Sequence, residues 1–236
     1  LKTNRSYNLG VLFTDEANSG LTHDYFASVL ESFKETAEKN DYDITFVNRN
    51  RERRRKMTYL EHVRYRGFDG VVIACVDFED PEVAQLVASD IPVVTIDHIF
   101  NNRIAVMSDN VKGMQSLLRY IYSCGHAAAT QQLLALPCPP TCILYPDDFA
   151  CLGGMNMLRE KGLRIPEGIS IAGYDGLRIG RHMDPKLTTL KQDTQKLGGY
   201  AAEKLISLIE HPKTSVPEIL VVEGEVYEGR SVGNIG

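Results

Sequence analysis

Seven aspartates each stand within three residues of the end of a short apolar run: Asp15, Asp77, Asp97, Asp109, Asp147, Asp148 and Asp175. An ionised carboxylate only accepts hydrogen bonds. Several of them lining one crevice suit a neutral polyol or sugar, whose hydroxyls donate, or a cation. A phosphorylated ligand would need Arg or Lys to intervene. An Asp at such a position also serves as cap of the helix that follows, and for each residue alone both roles are open. The adjacent pair Asp147-Asp148 is costly unless something ordered lies between the two charges.

Other chemistry lacks its signatures. There is no Gly-x-Gly-x-x-Gly after a strand, no phosphate loop ending in Gly-Lys-Ser/Thr, no Gly-x-Ser-x-Gly elbow and no His-Glu-x-x-His, and the six His are scattered singly. Cys138 and Cys142 with Cys151 lack a fourth ligand and lie in a Pro-rich apolar setting, which fits packed thiols better than a metal site. No pair of carboxylates stands out by spacing as an acid and a base. The expectation is therefore no catalytic residue, no metal and no cofactor.

The 236 residues are 43% apolar and 24% charged, a globular composition and neither a disordered nor a fibrous one. No apolar run approaches the roughly 18 residues of a membrane span. The first eight residues lead straight into a strand without the organisation of a signal peptide. Five Cys, an odd number, make no disulfide framework and fit a reducing compartment. A cytoplasmic protein without membrane association is expected. The net charge of −5 conceals a local excess of +6 over residues 48–66, where Arg49, Arg51, Arg53, Arg54, Arg55, Lys56, Arg64 and Arg66 face only Glu52 and Glu61. Such a cluster reads first as a solvated loop and helix start, and second as a contact for phosphates.

The elements that must position the aspartates alternate in period. Asn8-Leu-Gly-Val-Leu-Phe13 is a strand; Phe26, Val29, Leu30, Phe33 and Ala37 then fall on one face of a helix over 25–39. Strands are predicted at 41–47, 68–75, 91–97 and 104–109, with helices over 56–66, ending at Gly67, and from Pro81 onward. The second half repeats the rhythm: helices over 110–124, 128–136, 149–161 and 195–210, and strands at 141–145, 169–174 and 219–222. Short apolar strands alternating with amphipathic helices define an α/β protein with parallel sheets covered on both faces, here two sheets divided near 107–110. A ligand is expected in the cleft between lobes or at the carboxyl ends of the strands.

Phe68-Asp-Gly-Val-Val-Ile, Ile91-Pro-Val-Val-Thr-Ile-Asp-His98 and Val106-Met-Ser-Asp-Asn-Val-Lys-Gly113 resemble the first lobe of the LacI/GalR transcriptional regulators. Pro140-Thr-Cys-Ile-Leu-Tyr-Pro-Asp-Asp-Phe-Ala-Cys-Leu-Gly153, Gly162-Leu-Arg-Ile-Pro-Glu-Gly-Ile-Ser-Ile-Ala-Gly-Tyr-Asp175 and Pro185-Lys-Leu-Thr-Thr-Leu-Lys-Gln-Asp193, followed by Leu197-Gly198, continue the match in order. The resemblance implies a periplasmic-binding-protein-like fold of type I, with two Rossmann-like lobes joined by three crossover segments near 107–109, 186–189 and 212–217. Residues 1–236 would form one effector-binding and dimerisation core, lobe one 5–107 plus 188–211 and lobe two 108–187 plus 217–230. The effector implied is a small sugar in the interlobe cleft, contacted by Asp15, Ser19, Gly20, Phe26, Asp77, Asp97, Asp109, Asp148, Asp175 and Gln192. Phe26 stands where the family places a ring-stacking aromatic, although it also belongs to the helix's apolar stripe; it would stack on a flat nucleobase as readily as on a pyranose. Asp175, after Gly-Tyr, is the foremost of the carboxylates.

Two departures from the family pattern stand out. The helix-turn-helix headpiece is absent, so operator DNA would be reached only through such a headpiece and this polypeptide alone would bind it poorly. After Gly125-His126 the family continues with a strand, an Arg-containing loop and a helix, whereas here Ala127-Ala-Ala-Thr-Gln-Gln follows at once, so a missing segment is expected between 126 and 127. A homodimer is expected, with Tyr59, Val63 and Val83 on the outward faces of their helices. The runner-up is a sugar-binding receptor of a transport system, which shares the cleft architecture; the lack of signal-peptide organisation and the five Cys count against it.

Overall fold

Every described strand belongs to one of two sheets, and each sheet is the centre of its own compact unit. The computed structural model describes residues 5–14, 24–47, 57–123, 140–213 and 215–234. The first unit opens with β1 (Asn8–Phe13), α1 (Asp24–Lys39), β2 (Asp43–Phe46), α2 (Tyr59–Arg66), β3 (Gly70–Ala74), α3 (Pro81–Val87), β4 (Val93–Ile96) and β5 (Ile104–Ser108). The second holds α4 (Asn110–Ser123), β6 (Cys142–Leu144), α5 (Asp148–Glu160), β7 (Ser170–Asp175), a 3-10 turn (Arg178–Arg181) and β8 (Thr188–Lys191). The chain returns to the first unit with α6 (Thr194–Glu210) and β9 (Ile219–Val222), and to the second with β10 (Glu225–Tyr227).

The first sheet runs β2-β1-β3-β4-β5-β9, with every pair parallel. The strand order reverses between β1 and β3, and in a doubly wound sheet the crevice at the carboxyl ends of such a pair is where ligands bind. The second sheet runs β10-β8-β7-β6, and its edge strand β10 is antiparallel to β8. The expectation of parallel sheets thus holds for all pairs but this one. Antiparallel pairing at the edge needs no covering crossover helix.

Local sequence explains the elements. β3, Gly-Val-Val-Ile-Ala, is buried at every position, as a strand covered on both faces must be. α2 begins with a reciprocal capping box between Thr58 and Glu61 and ends at Gly67 in the left-handed region at φ 66°. α1 buries Tyr25, Val29, Leu30, Phe33 and Ala37, so the stripe starts one residue earlier than the spacing from Phe26 predicts. Arg103 donates to the carbonyls of Val87, Ser89 and Ile91, tying the end of α3 to the loop before β5.

Three findings differ from the sequence reading. Residues 188–191 form β8 in the second sheet, because they pair with β7 from Ala172↔Thr188 to Asp175↔Lys191. Residues 219–222 form β9 in the first sheet, paired with β5. The chain therefore passes between units at 108–109, 193–194 and 222–223. Tyr59, Val63 and Val83, expected on outward faces, are 4%, 0% and 1% exposed and pack into the first unit's core with Leu12, Phe68 and Leu86. Those faces of α2 and α3 are inward, since the two short helices close over the sheet and leave their other sides to solvent. The predicted helix over 128–136, the basic residues 49–56 and the junction at 126–127 lie outside the described residues.

Candidate functional site

In the first unit the carboxyl ends of β1, β3 and β4 gather an aromatic and polar set. The Thr14 amide donates to the Cys75 carbonyl at 3.3 Å, closing the β1/β3 pair at the switch point. Phe26 is half-buried and packs edge-on against Phe13, the last residue of β1, at 5.6 Å between centroids, and against Tyr25 at 5.0 Å. Displacement of Phe26 from the buried stripe by Tyr25 leaves its ring at this strand end.

Asp97 follows β4 with a positive φ of 57°, a conformation that Asp tolerates better than most residues. Its Oδ1 accepts from the Ser108 amide and its Oδ2 from the Tyr25 hydroxyl, each at 2.8 Å. Tyr25 also meets the Ser108 hydroxyl at 3.2 Å. Asp97 thus locks the start of α1 to the ends of β4 and β5. Asp77 is exposed, and its Oδ1 accepts from the Glu79 amide at 2.9 Å, an Asx turn that steers the chain toward α3. Beside these, Phe78 stacks on His98 at 4.0 Å and 5° between planes, with Phe100 against His98 at 4.6 Å. This aromatic face went unnoticed in the sequence, although Phe78 and His98 stand one residue beyond Asp77 and Asp97. The same strand-end rule applied to aromatic residues would have found it.

In the second unit Asp109 accepts from the Lys112 amide at 2.8 Å and caps α4. Asp147 is the N-cap of α5, accepting from the Ala150 amide at 2.7 Å. Asp148 is fully buried, taking the Leu177 amide at 2.6 Å and the Thr189 hydroxyl at 2.7 Å. The costly adjacent pair is resolved by divergence: one carboxylate turns to a helix start and the other into the core. Burial, opposed by the bonds from Thr189 and Leu177 and aided by the charges of Asp175 and Asp147, pushes the Asp148 carboxyl up to about 6. Asp148 is a brace between α5, β7 and β8, out of a ligand's reach, which corrects its expected place among the effector contacts.

Asp175 and Gln192 do come together. Asp175 ends β7 at φ 97°, a strained region for a residue with a Cβ. Its Oδ1 accepts from Gln192 Nε2 at 2.7 Å, joining the carboxyl ends of β7 and β8. The amide oxygen of Gln192, held by that bond, is buried with no hydrogen-bond partner. The 3-10 turn that follows is headed by Leu177 without a side-chain cap, so Asp175 is not a helix cap. Nearby, the Tyr174 hydroxyl donates to Asn110 Oδ1 at 2.8 Å. Asp15, Ser19 and Gly20 lie outside the described residues. Cys142 and Cys151 are buried and form no disulfide, and burial raises the Cys151 pKa far above its usual range.

A doubly wound α/β fold in two units, with polar and aromatic side chains presented at strand carboxyl ends, is the build of a ligand-binding domain. Residues 45–232 match the family described as periplasmic binding protein-like domain. The probable HTH-type transcriptional repressor ExuR of Bacillus subtilis is 24% identical over 93% of this chain and 79% of its own length. The HTH-type transcriptional repressor PurR of Escherichia coli O139:H28 is 24% identical over 99% of this chain and 82% of its own. That alignment runs 288 positions against the 236 residues present here, so the relative carries more than 50 positions without a counterpart. Among solved structures, a LacI family transcriptional regulator from Enterococcus faecalis V583 with bound ribose superposes with a TM-score of 0.77 over 97% of this chain and all of that one, at 21% identity.

The chain belongs to the periplasmic binding protein-like domain family, and the two curated relatives named above are transcriptional repressors. No helix among the described residues is long and apolar enough to cross a membrane.

Proposed function

We propose that this chain is the effector-binding and dimerisation core of a repressor, and that its effector is a small neutral sugar held at the strand carboxyl ends. The observation that carries the reading is the Asp175–Gln192 pair, whose amide oxygen is a buried acceptor awaiting a donor. An orphaned buried acceptor costs about 1–3 kcal/mol, and one sugar hydroxyl satisfies it while a neighbouring hydroxyl donates to Asp175. The ribose held by the regulator from Enterococcus faecalis supports the ligand class. Operator DNA, in this reading, is engaged by a helix-turn-helix headpiece, and the effector acts by binding two arrangements of the core with unequal affinity.

The test is Asp175→Asn, which keeps the shape but removes the charge. A thermal-shift panel of neutral mono- and disaccharides, ribose first, identifies the sugar that stabilises the parent; calorimetric titration then compares parent and variant. Charge-assisted bonds contribute about 1.5–3 kcal/mol each, so affinity should fall about tenfold to a hundredfold. The melting temperature of the unliganded variant should stay within about 2 °C of the parent. Unchanged affinity removes Asp175 from the site, and a panel without a stabilising sugar overturns the ligand class.

The dimer no longer has Tyr59, Val63 and Val83 to rest on, since all three are buried within the protomer. It rests on the family, whose closed two-fold assemblies use the same patch on both subunits. Sedimentation equilibrium at micromolar protein should return about twice the chain mass, and a monomer throughout that range would refute it.

A further inference from the structure

We propose a second ligand site in the second unit, at the amino ends of β7 and β8, that takes a phosphate monoester of a small polyol. A solvent-open groove of about 590 Å³ lies there, lined by the exposed side chains of Arg159, Arg164 and Arg230 together with Glu167 and Asp184. It lies at the other end of these strands from Asp175 and Gln192. Arg164 and Glu167 belong to the loop leading into β7, Asp184 precedes β8, and Arg230 follows β10, which runs antiparallel to β8. The inference is independent of the effector reading.

The walls are held by main-chain bonds. The Arg164 carbonyl accepts from the amides of Gly168 at 2.8 Å and Ile169 at 3.1 Å, and the Arg230 amide donates to the Lys186 carbonyl at 2.7 Å. The guanidinium groups themselves have no hydrogen bond or ion pair among the described residues, although two carboxylates line the same groove. In a chain of net charge −5, three guanidinium groups against two carboxylates leave this groove with a local excess of one positive charge, which an anion would meet. The planar fork of Arg matches the oxygens of a phosphate with paired bonds. Arg159 also sits in the last turn of α5, where a cation favours the helix dipole, so Arg164 and Arg230 have the fewer other duties.

The two carboxylates narrow the ligand. A di- or tricarboxylate entering the hollow would meet Glu167 and Asp184 with like charge. A single compact anion joined to hydroxyls presents its charge to the arginines and its donors to the carboxylates. The volume suits a monosaccharide phosphate, within the usual range of about 300–1,000 Å³ for small-molecule pockets.

The experiment is calorimetric titration of the full chain with glucose 6-phosphate, and separately with glucose, inorganic phosphate and sulfate, at constant ionic strength. Saturable binding of glucose 6-phosphate at least tenfold tighter than inorganic phosphate or sulfate is expected. The double variant Arg164→Gln with Arg230→Gln should weaken it at least tenfold. Glu167→Gln with Asp184→Asn should erase the preference over inorganic phosphate without losing phosphate itself. Asp175→Asn should leave all of this unchanged, which separates failure here from failure of the sugar reading. Melting temperatures within about 2 °C of the parent certify the exposed-arginine variants as folded. No saturable binding, or binding that persists in the double arginine variant, would overturn the site. Equal affinity for glucose 6-phosphate and sulfate would overturn the ligand assigned to it.

Discussion

Gly198→Ala is expected to destabilise the first unit by about 3 kcal/mol, lowering its melting temperature by roughly 6–12 °C. α6 crosses α1 at Gly198, and a methyl group there would lie 2.0 Å from the Val29 carbonyl oxygen and 2.7 Å from the Phe33 nitrogen. Both are backbone atoms of a helix, so neither side has a rotamer to turn; the helices must part. Parting them loosens the packing of Val29 and Phe33, both fully buried, and stretches the 2.6 Å bond from the Ser32 hydroxyl to the Gln195 carbonyl. Alanine's better helix propensity returns only about 1 kcal/mol. Urea denaturation followed by circular dichroism measures the loss. A variant within 2 °C of the parent would mean that the two helices lie farther apart than this.

Asp148 is expected to make the second unit less stable at neutral pH than in mild acid. Its folded pKa of about 6 stands above the unfolded value near 3.8. The folded state therefore binds more protons than the unfolded state between these values, and stability falls as pH rises through that window. About two pKa units at 1.36 kcal/mol each give roughly 3 kcal/mol, present below pH 4 and gone above pH 7. Asp148→Asn abolishes the titration. Its amide oxygen still accepts from Leu177, and its NH₂ donates to the Thr189 hydroxyl, which turns to accept. Denaturation of parent and variant at pH 4.5, 5.5, 6.5 and 7.5 should show the variant gaining on the parent by about 2–3 kcal/mol across the series. A constant difference between the two would refute the buried, upshifted carboxyl.

Several features were legible in the sequence because they depend on neighbours along the chain. Apolar runs and periodicity marked β1, β3, β4, β5 and most of the core face of α1, and Gly and Pro punctuation marked the end of α2 at Gly67 and the start of α3 at Pro81. Residues of β3 are apolar at every position because both faces of a parallel strand are covered, and that leaves a trace in the order of the residues. The aspartates at strand ends were legible for the same reason. Asp175 was legible as a strand-end carboxylate and Gln192 through motif resemblance, and the structure joins them by one hydrogen bond.

The roles of the aspartates were decided only in three dimensions. Asp147 and Asp148 are adjacent and chemically identical, yet one caps α5 and the other is buried against Thr189, 41 positions away. Residue type does not distinguish them; Asp147 stands before α5 in extended backbone with its side chain turned to the helix start, while Asp148 is the first helical residue and faces the core. Asp97 is held by Tyr25 and Ser108, 72 and 11 positions away. Which sheet receives β8 and β9 was equally beyond local reading, because a strand of four residues fits any edge that offers a parallel partner. The inward turn of Tyr59, Val63 and Val83 has the same origin. On helices of seven and eight residues too few positions define a face, and only packing against the sheet determines which side is buried.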